Sequence, residues 1–332
     1  MAIAKAVLDV TRNRGRFFVL KYIARRQLLT IVVVLGVTIL TFSIMHLAPG
    51  DPAEMIAIAR YGMENLTQED IEQIRKAEGL DAPVYVQYAR WLSHVVRGDF
   101  GRSLITGEPV LEEILTRFPA TLKLALAAMI VSLLIAIPVG IVSAVKPYSL
   151  SDYLSMTGAL IGVCMPNFWL GLLLILLFSV YLGLFPVCGY GGLKHIVLPA
   201  LTLGSGMAAI TTRLIRSSML EVLKQDYITT ARAKGLSEKS IIARHALKNA
   251  FIPVITVIGL QFGHLLEGTV IVETIFAWPG IGKLLVDSIF ARDFALIQGC
   301  VLFFAVVFVI INLLVDISYV YLDPKIRYEK EG

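Results

Sequence analysis

The sequence predicts an all-α integral membrane protein with six transmembrane helices, and three observations carry that prediction. The 332 residues are 57% hydrophobic and 17% charged, where a soluble chain of this size carries roughly a quarter charged residues. Mean hydropathy is +0.76. The missing charge is unevenly distributed: apolar runs of about twenty residues, the length that crosses a bilayer, alternate with polar stretches. The third observation is the polar, basic stretch Leu223–Pro253, which lies between two apolar runs and reads as helix, glycine break and helix.

The elements follow in order. Residues 1–27 form a basic arm with Lys5, Arg12, Arg14, Arg16, Lys21, Arg25 and Arg26 against Asp9. The apolar run from Leu28 exceeds the about 7–15 residues of a cleaved signal core, so 28–48 is read as an uncleaved first span. Residues 49–118 are a polar insertion, opened by the sharp stop Pro49-Gly50-Asp51-Pro52. Within it, Thr67 is expected to cap a helix over Gln68–Glu78, closed by Gly79. Val84, Tyr88, Trp91, Leu92 and Val95 then share one helical face, with Trp91 suited to a membrane interface or a partner surface. Residues 119–322 are the core, with spans near 120–145, 153–183, 196–217, 251–273 and 297–320. The fourth carries Gly204, Ser205 and Gly206, small residues that let helices approach closely. A polar tail, 323–332, completes the chain.

Six spans put both termini on one side. The arm, Arg213, Arg216, the tail and the bases of 223–250 (Lys224, Arg232, Lys234, Lys239, Arg244, Lys248) share that side. The opposite short loops offer Lys194, Lys283 and Arg292. The positive-inside bias therefore makes both termini and the 223–250 loop cytoplasmic, and leaves 49–118, where acids outnumber bases, outside. The same bias accounts for the net charge of +5 without nucleic acid.

Several chemistries lack their residues. Cys164, Cys188 and Cys300 are far apart and give neither a disulfide framework nor metal spacing. No HExxH or GxSxG motif is present. Gly280-Ile281-Gly282-Lys283 falls short of a phosphate loop, with Ala277 at its first glycine and Leu284 in place of Ser/Thr. A DNA-reading helix-turn-helix is disfavoured because the 223–253 unit is stitched between two spans. Within that unit, Ala231, Arg232, Ala233 and Lys234 favour helix, Gly235 fits the left-handed position after it, and Ser237 is placed to cap the next. Ile241, Ile242 and Leu247 imply a docked shape rather than a loose loop. In the fifth span Gln261, His264 and Glu267 recur at steps of three on one face. Two readings stay open for them: lining of a path, or a hydrogen-bonded link between helices.

The run Asp226-Tyr227-Ile228-Thr229-Thr230-Ala231-Arg232-Ala233-Lys234-Gly235-Leu236, followed by Arg244-His245-Ala246-Leu247-Lys248-Asn249-Ala250 and Pro253, resembles the EAA loop of ABC-importer permeases. It is similar to the dipeptide, oligopeptide and nickel branch in particular. Thr229, Thr230, Ala231 and Gly235 stand at the E, A, A and G positions, and the second alanine and the glycine match literally. Leu47-Ala48-Pro49-Gly50-Asp51-Pro52, Gly98-Asp99-Phe100-Gly101, Met165-Pro166-Asn167-Phe168-Trp169, Glu273-Thr274-Ile275-Phe276-Ala277-Trp278-Pro279-Gly280, Arg292-Asp293 and Asn312-Leu313-Leu314-Val315-Asp316 extend the resemblance over about residues 20–328.

The resemblance implies a type I ABC importer permease fold with a cytoplasmic coupling helix, and no enzyme activity in this chain. Implied partners are a second homologous permease, two ABC ATPases that bind ATP and magnesium, an extracytoplasmic solute-binding protein and the lipid bilayer of the cytoplasmic (inner) membrane. No nucleic acid is implied, and no cofactor or metal in the chain itself. Asp226, Tyr227, Thr229, Thr230, Ala231, Arg232, Ala233, Lys234, Gly235, Leu236 and Arg244 would form the ATPase-coupling surface. There, short side chains would allow close approach, Gly235 would make the bend, and Arg232, Lys234 and Arg244 would reach acidic groups. Asn167, Gln261, His264 and Glu267 are the candidates for the translocation path. The compact segment Phe185–Gly192 leans the cargo toward nickel or a nickel chelate, with short peptides close behind. Oligopeptides or oligosaccharides are further alternatives, and a stand-alone channel or secondary carrier is the rival class.

Overall fold

The computed structural model describes residues 30–43, 46–47, 50–62 and 66–322, without the side chains of 59–60, 264, 266–268 and 316–322. The basic arm and the tail lie outside the described residues. The chain divides into two compact units, one formed by residues up to Leu111 together with those from Arg292, the other by Glu112–Ala291.

The first unit contains α1 (Thr30–Ser43), α2 (Pro52–Tyr61), α3 (Gln68–Ala77), α4 (Val84–Val96) and α13 (Phe294–Leu322). Asp51 accepts the Ala53 N–H at 3.0 Å to cap α2, and its carboxylate also pairs with Arg75 of α3. Thr67 and Asp70 close the N-terminus of α3 reciprocally, each accepting from the other's backbone. Ala53, Ala57, Ile71 and Ile74 bury the α2–α3 contact. The apolar face of α4 packs on α1: Tyr88 shares a 2.8 Å hydrogen bond with Thr38, and Trp91 lies 5.8 Å from the Phe42 ring. Trp91 is thereby occupied within the chain. Asp293 accepts from Ser103 Oγ at 2.5 Å, from the Leu104 N–H at 3.0 Å and from the Leu296 N–H at 3.1 Å. One carboxylate therefore fixes the loop after α4 and caps α13.

The second unit is built on α5 (Val110–Val145, its first two residues belonging to the other unit), α6 (Leu150–Cys164), α7 (Asn167–Leu174, continued by a π-helical stretch Ile175–Tyr181) and α8 (Leu193–Val222). These are followed by α9 (Asp226–Ala233), α10 (Glu238–Ser240), a π-helical stretch Ile241–Ala246, α11 (Leu247–Ile275) and α12 (Ile281–Ala291). Helix α8 is the spine and packs most extensively on α11, then on α6 and α7. Gly204 allows the approach of α5 that its size predicts: a Cβ there would stand 2.6 Å from the Ala128 carbonyl oxygen. One apolar cluster gathers Leu124, Leu198, Leu203, Phe276 and Trp278, and a second gathers Ile215, Met219, Ile228, Ile241 and Ala250. Each fully buried side chain of this size contributes about 2 kcal/mol.

The span count needs correction in its detail. Four helices among the described residues are long and apolar enough to cross a membrane, and α6 with α7 supplies a fifth only as a pair bent by 107°. The expected continuous span over 153–183 is thus broken. Pro166 has no N–H to donate and holds Met165 extended at ψ 121°, which stops α6 one residue earlier. The described part of the first run, Thr30–Ser43, is shorter than a full span.

Candidate functional site

The 223–250 segment is a docked turn. Helix α9 ends at Ala233 because Gly235, at φ +79°, adopts the left-handed conformation. The Leu236 N–H donates to the Ala231 carbonyl at 3.3 Å and the Gly235 N–H to Arg232 at 2.9 Å, the paired bonds of a Schellman motif. Ser237 occupies the cap position of α10, although its hydroxyl makes no cap hydrogen bond. Ile228 and Ala231 face inward and are buried with Ile241, Ala246 and Met219. Ala231 therefore does not belong to the accessible face. That face consists of Asp226, Tyr227, Thr229, Thr230, Arg232, Ala233, Lys234, Gly235 and Leu236, joined by exposed Arg244. Arg232 Nε donates to Glu238 Oε1 at 2.7 Å across the bend, so this cation is already partnered within the turn. Asn249 Nδ2 donates to the Tyr227 hydroxyl at 2.8 Å, tying α9 to the start of α11.

Near this end of α8, Arg216 grips Asp152 at the start of α6 through two 2.7 Å bonds. Asp152 is only 2% exposed and accepts further from Ser143 and from the Tyr148 N–H at 2.8 Å. Four donors on α5, the loop after it and α8 thus converge on one carboxylate. Arg216 was already noted as a base that sets orientation, yet nothing local in the sequence pairs residues 64 apart.

The loop after α11 is the second organised feature. Ala277, at φ +49°, takes the left-handed position that Gly235 takes after α9, and the Trp278 N–H donates to the Glu273 carbonyl at 2.8 Å. Trp278 is fully buried, and its indole Nε1 donates to the Ala120 carbonyl at 2.9 Å. Thr121 Oγ1 accepts the Ile281 N–H at 2.9 Å. The Glu273 side chain, also fully buried, curls back into its own loop and accepts the Lys283 N–H at 3.1 Å. A Cβ at Gly280 would fall on the Glu273 carboxyl, and one at Gly282 would stand 2.5 Å from the Val270 Cα. The two glycines are therefore the space that the carboxyl occupies.

Of the path candidates, the structure describes the side chains of Gln261 and Asn167, each set against α8. Gln261 is 8% exposed and accepts from Thr211 Oγ1 at 3.0 Å, a link between α11 and α8. Asn167 is half-buried at the start of α7, its Oδ1 facing Gly206. The side chains of His264 and Glu267 lie outside the described residues. Beside the α6–α7 break, α5, α6 and α8 surround an open cleft of about 430 Å³ whose wall includes Ile135, Ser155, Gly158, Ser205 and Thr212.

Comparison with known proteins gives the setting. The family described as "Binding-protein-dependent transport system inner membrane component" matches residues 136–328, and the corresponding N-terminal membrane component matches residues 19–125. The chain is 46% identical over 318 residues to the oligopeptide transport system permease protein AppB of Bacillus subtilis (strain 168), covering 92% of this chain and 99% of that one. It is 45% identical over 310 residues to the glutathione transport system permease protein GsiC of Escherichia coli (strain K12), covering 93% and 100%. Among solved structures, a chain of the MetNI methionine ABC transporter in an inward-facing conformation superposes with a TM-score of 0.55 at 20% identity, covering 65% of this chain and 99% of that one. A chain from an amino acid ABC transporter superposes with a TM-score of 0.51 at 14% identity, covering 63% and 94%. At these identities the two structures share the all-α permease fold.

Proposed function

Since the chain belongs to the binding-protein-dependent transport system inner membrane components, as a non-catalytic, multi-pass permease subunit of an ABC importer in the peptide and nickel branch, we propose that it forms half of the translocation path for short peptides. The observation that carries this reading is the near full-length identity of 45–46% to permeases named for oligopeptide and glutathione transport. The expected lean toward nickel gives way to the peptide alternative, because it rested on one compact segment, Phe185–Gly192, whereas these identities run through the whole chain.

The α9 turn is the coupling element of this reading. Ile228 and Ala231 anchor it to α8 and α11, leaving the opposite face, with Lys234 and Arg244, free for an ATPase subunit. An anchored turn transmits displacement, and a loose one does not. A homologous second permease, two ATPases and an outer solute-binding protein complete the assembly. The distribution of Lys and Arg supports a cytoplasmic position for this turn and both termini. The 107° break at Pro166, with Asn167 at its edge, belongs to the path, as discontinuous helices do in other transporters.

The test is charge reversal of Lys234 and Arg244 in the assembled, reconstituted transporter. Peptide uptake should fall at least tenfold while the binding protein keeps its affinity for peptide. Uptake that survives the reversal and needs no ATPase would instead identify a stand-alone carrier.

A further inference from the structure

Helix α6 is held lightly. Of its 15 residues, two are buried, Asp152 and Ala159. Among the described residues, every hydrogen bond from α6 to another helix runs through Asp152, to Ser143 on α5 and to Arg216 on α8. Ser155 turns its hydroxyl back on the Ser151 carbonyl at 2.7 Å, and Ser205 of α8 does the same on Thr202 at 3.0 Å. The far end of α6 meets α8 at Gly162, where an added Cβ would stand 3.3 Å from the Ala209 Cβ. Between these two attachments lies the cleft of about 430 Å³, and a Cβ on Gly158 there would meet nothing within 4 Å. The α6 and α8 sides of the cleft carry Ser155, Gly158, Ala159, Ser205, Ala208 and Ala209. Side chains this short do not interlock, so they resist sliding less than ridges set into grooves. Leu154 and Ile135, also in its wall, are exposed and leave the cleft open at the side.

The Asp152–Arg216 clamp joins this helix to the α9 turn. Arg216 lies about 9 Å along α8 from its end at Val222. Met219, between the two, is fully buried against Ile228 of α9, and Ala144 at the end of α5 belongs to the same cluster. The same carboxylate also accepts the Tyr148 N–H at 2.8 Å, so the loop that leads into α6 is fixed as well. At its other end α6 runs into Pro166 and the 107° break.

We infer that Asp152 and Arg216 are positioning residues for transport: displacement of the α9 turn swings α6 into the cleft about this clamp and carries the Pro166 break with it. This rests on the reading of the α9 turn as the coupling element. The bonds gathered on one carboxylate fix the pivot. The short side chains of α8 give α6 a surface to slide on, and the cleft is the space that the swing consumes.

The test uses the assembled transporter in nanodiscs, with Cys164, Cys188 and Cys300 replaced by alanine and spin labels on Leu134→Cys and Leu160→Cys. Both positions are exposed, one on α5 and one on α6. Their separation, read by pulsed electron resonance, should take one value without nucleotide and another with ATP and vanadate. Gly158→Leu puts a side chain into the cleft from a position whose Cβ meets nothing. It should keep the melting temperature, hold the separation at one value and lower ATP hydrolysis about tenfold. Arg216→Lys keeps the charge but not the paired bonds, and should broaden both distance distributions. One separation in both nucleotide states overturns the swing, as does full ATP hydrolysis by folded Gly158→Leu. Distributions as narrow as the parent's in Arg216→Lys overturn the clamp as its pivot. The coupling reading fails separately. A separation that never changes, in a transporter silenced by charge reversal at Lys234 and Arg244, removes the swing and keeps the coupling turn. A separation that still changes after that reversal, with uptake intact, removes the coupling turn instead.

Discussion

Arg216 donates from Nε and Nη2 to the two oxygens of Asp152, both at 2.7 Å, joining the C-terminal part of α8 to the first turn of α6. Asp152 is almost wholly buried, whereas the Arg216 side chain keeps 23% of its surface. Removing the guanidinium therefore strands a buried carboxylate, the costly way to break such a pair. Arg216→Ala should destabilise the purified protein by about 3 kcal/mol. Arg216→Lys should recover only part, because an ammonium cannot present two parallel N–H bonds. Denaturant unfolding in detergent, followed by circular dichroism, reads both outcomes.

Gly280 and Gly282 frame the carboxyl of Glu273. Gly280→Ala should cost about 1–3 kcal/mol through overpacking. Combining it with Glu273→Ala should lower thermal stability less than the sum of the two single changes, because the second removes the atoms that the first collides with. Strict additivity of the melting shifts would show that the two positions do not share that space.

Two helix ends use the same left-handed position with different residues, Gly235 after α9 and Ala277 after α11. The side-chain penalty there is about 1 kcal/mol, so Gly235→Ala should cost that amount and Ala277→Gly should return it. No atom lies within 4 Å of a Cβ built on Gly235, so the first cost is purely conformational. Paired unfolding curves of the two variants would show shifts of opposite sign.

Asp70 closes the capping box of α3, and the Thr67 hydroxyl and N–H hold its carboxyl below the ordinary carboxylate range. The charged form is thus favoured in the folded state. The resulting stabilisation is complete above the ordinary carboxylate pKa and disappears as pH falls through the lowered value. Thr67→Ala should bring the Asp70 titration back toward its ordinary position, as read by carboxyl carbon NMR shifts, while Thr67→Ser should leave it lowered.

Local chemistry made part of this molecule legible. Thr67 at a cap and Gly235 at a bend each solve a backbone problem within four residues, and each stands where the sequence places it. The face of α4 was readable from its spacing, though not its partner Phe42. Long-range polar pairs left less of a trace: Arg216 looked like a topological base, and Gln261 was legible as either a lining of the path or a link between helices, without naming Thr211 as the partner. The break after α6 was visible only as a proline inside an apolar run, since hydropathy is blind to direction.

The π-helical stretch Ile241–Ala246 sets the phase between the turn and the span that follows. Residues five apart in an α-helix differ by about 140° around the axis. Ile241 and Ala246 nevertheless are both fully buried in one cluster, and from Ala246 the seam continues through Ala250 and Val254 at ordinary steps of four. Bonding between i and i+5 accommodates one additional residue and stacks the two. The stretch acts as a one-tooth offset between two gears: deleting any residue from 242–245 would restore a uniform helix and rotate the α9 face by about 100° relative to α11.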